Sequence, residues 1–132
     1  MKMTDKMIKT LFYKGKQVFE KKETIKDAVT DVTRIYPGGI AASSAEHYIG
    51  LYGRMLSGEG STWNSNTALL LYYVEEICKE NGNEDGSRAY NAAMKFAVLK
   101  SRQELIDGLD TLKEKYHLTA EPAMDTDTSI SE

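Results

Sequence analysis

Apolar residues recur at spacings of three and four along most of this chain, and that period points to helices rather than strands. From Thr24 to Tyr36, one face collects Ile25, Ala28, Val29, Val32, Ile35 and Tyr36. Pro37-Gly38-Gly39 ends the run, because proline disfavours helical geometry in Tyr36 and the glycines permit the turn. Ser43 or Ser44 offers an N-cap oxygen to a second helix with the stripe Ala45, Tyr48, Ile49, Tyr52, Met55 and Leu56. A third opens between Thr62 and Asn66 and reaches Asn81, where Gly82 supplies a left-handed end. Its stripe, Leu70, Leu71, Val74, Ile77 and Cys78, is widened by Leu69, Tyr72 and Tyr73. Apolar on so much of its surface, this helix should lie central in a bundle. Gly86-Ser87 leads into Tyr90, Ala93, Met94, Ala97 and Val98. Ser101-Arg102-Gln103-Glu104 then reads as a capping box that opens a final helix carrying Leu105, Ile106, Leu109, Leu112 and Tyr116. A break is expected near Lys100.

The first 22 residues read two ways. Leu11 to Phe19 could form a hairpin about Lys14-Gly15, with aromatics suited to strands. Alternatively, Met3, Met7, Leu11 and Val18 could line a helix. The hairpin is the expected form. From Thr119 onward the chain lacks periodicity and apolar content, so a disordered acidic tail is expected over 119–132. The fold expected is therefore all-α: a four- to five-helix bundle in one domain, 1–118, with a short N-terminal β-hairpin. At 132 residues the chain suits one domain. No apolar run approaches the ~18 residues that span a bilayer, and the N-terminus lacks a signal-like apolar segment, so a cytoplasmic location is expected.

Chemistry is hard to place on this sequence. The single cysteine, Cys78, lies on an apolar stripe and should be a buried, inert thiol. With two histidines 70 residues apart, His47 and His117, no zinc site can be assembled from it. His47 flanks a helix and should be solvated or hydrogen-bonded; His117 sits at a helix end, where its charged form suits the dipole. Glu75 and Glu76 are adjacent and point to different faces. Asp107, Asp110 and Glu114 share a face, as solvated sides of amphipathic helices do. Glycines 50, 53, 58 and 60 lack the lysine and strand of a phosphate loop. No catalytic residue, metal or cofactor is therefore expected.

Charge offers more. The net charge is −3, yet residues 1–26 hold eight lysines against Asp5, Glu20 and Glu23. Lysines among Phe12, Tyr13 and Phe19 could contact phosphates and stack on bases. Against that stand a pI near 5.5 and a connection from Ser57 to Asn66 too long for a helix-turn-helix. That connection holds the only tryptophan, Trp63, among glycine, serine, threonine and asparagine; it could be a binding anchor or a staple onto the following helix. The candidate contact residues are Lys14, Lys16, Lys21 and Lys22 of the arm, with Arg54, Trp63, Asn64 and Asn66 around the loop.

Ser44-Ala45-Glu46-His47-Tyr48-Ile49, Arg54-Met55-Leu56-Ser57-Gly58, and Ala68 with Leu71-Tyr72-Tyr73-Val74 together resemble a small helical module. That module stands ahead of HNH-type nuclease domains in bacterial restriction endonucleases of the McrA kind. The match covers about thirty residues directly, and the histidine/asparagine cluster of the nuclease has no counterpart. The resemblance implies an accessory recognition domain, prokaryotic or phage, in a defence setting. A non-enzymatic binding module is expected, directed at nucleic acid or at protein. The alternative is a phage-type inhibitor of a host defence nuclease. The oligomeric state is left open.

Overall fold

The structure is a computed structural model describing residues 3–59 and 65–120. These residues form six helices and no strand: α1 (Asp5–Phe19), α2 (Ile25–Ile35), α3 (Ala42–Leu56), α4 (Thr67–Asn81), α5 (Asn83–Leu99) and α6 (Gln103–Tyr116).

The expected N-terminal hairpin is replaced by α1, and the reason lies in period and in one glycine. Met7, Ile8, Leu11, Phe12 and Gly15 are all buried along one helical face, which strand alternation would split between two faces. Thr4 caps the helix, its hydroxyl accepting from the Met7 amide at 3.2 Å. Gly15 is not a turn residue. It is the point where α1 crosses α3, and a Cβ there would fall 2.8 Å from Tyr52 Cβ and 2.9 Å from the Ile49 carbonyl oxygen.

The other helices follow the expected order with shifted ends. Thr24 caps α2 through the Asp27 amide, and α2 stops ahead of Pro37. α3 starts at Ala42 without a side-chain cap, so Ser43 and Ser44 lie inside its first turn rather than capping it. α5 begins at Asn83, a turn earlier than Gly86 suggested, directly after the left-handed Gly82 (φ 93°). Gly86 is instead a packing residue, a Cβ on it meeting the Cys78 sulfur at 2.5 Å. The break near Lys100 is present, but the capping box is not: Ser101 is left-handed (φ 54°) and Arg102 is the uncapped N-cap of α6. Ser101 closes α5, with the Arg102 amide donating to the Ala97 carbonyl at 2.8 Å. Lys21 and His117 take the same left-handed position after α1 and α6, a place usually given to glycine.

α1 and α2 pack on α3, α5 bridges α3 to α4 and α6, and α4 touches α1, α5 and α6. The central position is thus shared by α3, α4 and α5. Phe12 joins the halves, its ring meeting Tyr52, Tyr72 and Tyr73 edge-on at centroid distances of 5.2, 5.6 and 5.3 Å. The buried Tyr73 hydroxyl donates to the Tyr48 carbonyl at 3.0 Å. After α6, Leu118 is buried, and Thr119 is tied to α5 through Ser87 and Asn91. The packed domain therefore extends past the expected boundary at 118; residues 121–132 lie outside the described residues.

Candidate binding surfaces

The lysines of the N-terminal arm do not share one face. Lys14 is tucked between α1 and α2, its Nζ 2.8 Å from Glu23 and 2.9 Å from Asp31. Burial works to lower its pKa, but hydrogen bonds to the two carboxylates outweigh burial and raise it. The same contacts, with Arg34, hold the Asp31 carboxyl below its ordinary value. Lys16 turns to the other side of α1 and reaches Glu80 of α4 at 2.8 Å. Lys22 lies 3.2 Å from Glu20, and Lys21 is the left-handed residue that closes α1. Lys14 is therefore a structural ion, while Lys16 links two helices.

Around the α3–α4 connection the two described candidates, Asn66 and Arg54, make structural contacts too. Asn66 caps α4, accepting from the Leu69 amide, and its own amide donates to the Tyr48 hydroxyl, both at 3.0 Å. Trp63 and Asn64 lie outside the described residues. Arg54 folds back to His47, its guanidinium 3.3 Å from Nδ1 and 3.4 Å from the His47 carbonyl oxygen.

His47 is buried rather than solvated, with Nε2 3.1 Å from Ser65 Oγ. A guanidinium can only donate, so Nδ1 accepts and Nε2 carries the proton that it donates to Ser65. This is the reverse of a serine activated by a histidine base, where Nε2 must accept and an acid, not an arginine, stands at Nδ1. Burial, and then the Arg54 charge, lower the His47 pKa to about 4. The ring is a neutral bracket between α3 and the start of α4. Cys78 is buried as expected, and burial pushes its thiol up to about 11. Among the described residues no three His, Cys, Asp or Glu side chains converge to hold a metal ion, and no helix is long and apolar enough to cross a membrane.

Two open grooves lie beside α1, and reading the sequence for lysine clusters misses both. The first, about 550 Å³, runs over α4 between α1 and α6; Ile8, Ala68, Leu71, Tyr72 and Leu112 give it an apolar floor, with Asp5, Lys9 and Glu75 at its edge. The second, about 470 Å³, lies further along α1 and is lined by Phe12, Tyr13, Lys16, Glu20, Lys22 and Glu80 among others. Lys9 and Tyr72 line both, so the two grooves adjoin there, and together they are the trough beside α1. It opens because α1 packs closely on α3 at Gly15 and only lightly on α4. At the other wall, Gly108 admits Leu71: a Cβ on it would meet Leu71 Cδ1 at 2.7 Å. Leu71, expected in the core, is thus half-buried on the groove floor.

The chain matches no family model, no curated protein and no solved structure. The residues that carry the resemblance to the nuclease-associated module are largely interior: Ala45, His47, Tyr48, Ile49, Met55, Tyr73 and Val74 are all buried. They report how α3 and α4 pack.

Proposed function

We propose that this chain is a non-enzymatic binding module that takes a segment of a partner protein into the trough over α4. The observation that carries the reading is the trough's make-up: an apolar floor of Ile8, Leu71, Tyr72 and Leu112 with charges of both signs along its edge. A nucleic-acid surface needs positive charge that tracks a phosphate backbone. Here Lys14 and Lys16 are held by carboxylates and diverge across α1. Apolar grooves between helices suit an amphipathic helix laid in by its apolar face. α1, 15 residues from Asp5 to Phe19, runs the length of the trough, which corresponds to roughly 22 Å of helix at ~1.5 Å per residue, or about four turns of a partner. The defence setting implied by the resemblance would make that partner a protein working with, or blocked against, a nuclease.

The test is retention of a partner from an extract of cells that carry the chain. Ala68→Glu, an exposed position on the groove floor, should abolish retention while leaving the helical circular dichroism unchanged. Lys26→Glu on α2 should retain the partner. Salt-sensitive binding of duplex DNA at ~50 mM salt, where phosphate contacts are strong, with no partner lost in the Ala68 variant, would overturn the reading.

A further inference from the structure

We propose that the partner segment is acidic along the edge that meets α1, and that Lys9 with Lys6 selects it; this rests on the trough reading above. The trough's formal charges look balanced, but most are already engaged. Glu75 accepts from Lys115 at 2.9 Å and from the Tyr116 hydroxyl at 2.8 Å. Glu80 is taken by Lys16 and Glu20 by Lys22. Asp5 sits in the first turn of α1, where the unpaired amides of a helix start favour an acid. Lys9 is left. It is exposed, lies where the two grooves join, and has no ion pair among the described residues.

Lys6 stands one turn earlier on the same helix, exposed and equally without an ion pair among the described residues; residues three apart are neighbours on a helix surface. Tyr13, one turn after Lys9, is 57% exposed and lines the same trough. Lys9 and Tyr13 line the trough and Lys6 stands beside them on α1, so two cations without an ion pair among the described residues and an open aromatic ring form a stripe in which Asp5, one turn before Lys9, is the one acid. An incoming helix with apolar residues toward Leu71 and Leu112 would set its flank against that stripe. A flank of glutamate or aspartate gains the two open charges, whereas a flank of lysine meets like charge. Such complementarity sets partner choice and encounter rate more than raw affinity.

The experiment uses the full chain, isotope-labelled for amide NMR, and two synthetic amphipathic helices of roughly 18 residues, long enough to span the trough at ~1.5 Å per residue. They share one leucine stripe and differ only in glutamate or lysine on the flanks. At ~50 mM salt, where surface charges are weakly screened, the glutamate peptide should shift amides of α1, α4 and α6 along the trough. Its Kd should be at least ~10-fold lower than that of the lysine peptide, a margin that charge complementarity can supply. The preference should collapse at ~1 M salt. Lys6→Glu/Lys9→Glu should reverse it, the neutral Lys9→Gln should shrink it, and Lys26→Glu should leave it unchanged. Equal affinities at the trough, or tighter binding of the lysine peptide, would overturn the charge assignment and leave the trough reading standing. No trough shift from either peptide would overturn both.

Discussion

Both flanks of α1 carry lysines, and the two differ in what meets them. On the α2 side, Lys14 is enclosed by Glu23 and Asp31 and the helices close together. On the α4 side, packing stops short, leaving a trough with Lys9 open at its edge. The same residue type, five positions apart on one helix, is a structural ion in one seam and a candidate contact in the other. A run of lysines thus says little about a surface until the carboxylates facing each one are known. The aromatic residues repeat the lesson: Phe12 is interior and Tyr13, its neighbour, is 57% exposed.

The largest effect that could break this contrast comes from that aromatic pair. Phe12→Ala should cost roughly 3–5 kcal/mol, the usual range for emptying a buried aromatic site, because Phe12 joins Tyr52, Tyr72 and Tyr73. Tyr13→Ala should cost no more than ~0.5 kcal/mol, as for ordinary surface changes. Denaturant unfolding of both variants checks this, and similar losses would mean that α1 is rotated from the orientation described.

The lysines should differ by less. Lys14→Met leaves Glu23 and Asp31 facing each other without a cation. Fully buried pairs lose ~3–5 kcal/mol when broken; solvent access to this pair makes the expected loss smaller than that, yet larger than the loss at Lys9. Lys9→Met should stay within ~0.5 kcal/mol. The closed seam should also show in pH dependence. Asp31 has a lowered pKa, so its contribution is present above the ordinary carboxylate value of 3.8 and is lost as pH falls through the lower folded value. Lys14 has a raised pKa, so its contribution is complete below 10.5 and is lost as pH rises through the higher folded value. Lys14→Met should flatten both limbs of the stability curve, whereas Lys9→Met should leave them as they are.

A second acid-side signal belongs to His47 and separates from the first by its range. With the folded pKa lowered to about 4 from 6.5, the unfolded chain binds the proton first as pH falls. Stability is therefore complete above 6.5 and declines between 6.5 and about 4, by at most about 1.4 kcal/mol per pH unit for one proton. His47→Gln should remove that decline, and its persistence would assign it elsewhere. The last effect is a small gain: Lys21→Gly, at a left-handed position (φ 61°) with no ion pair among the described residues, should stabilise the end of α1 by ~0.5–1 kcal/mol.

Much of this helical order is legible in the sequence, since α2, α3, α4 and α6 follow apolar stripes that tertiary packing then buries. Capping was less legible. Ser43 and Ser101 have the chemistry of N-caps, but Ser43 lies within α3 and Ser101 turns left-handed to close α5. Aromatic β-propensity over residues 11–19 favours strands, but the alternative, Met3, Met7, Leu11 and Val18 at helical spacing, prevails because Gly15, read as a turn residue, lets α1 approach α3. The ion pairs could not be read from the chain, because Lys16 and Glu80 are 64 residues apart. Nor could the trough, which exists only where α1, α4 and α6 come together and makes a groove floor of Leu71 and Leu112, two residues that read as ordinary core.

Hydrogen exchange on the chain with its captured partner bound tests the trough most directly. Slower amide exchange is expected along α1 from Asp5 to Tyr13, in the first half of α4 and around Gly108 to Leu112, with α2 unchanged. Protection confined to α2 and the exposed end of α5, with none along the trough, would contradict it.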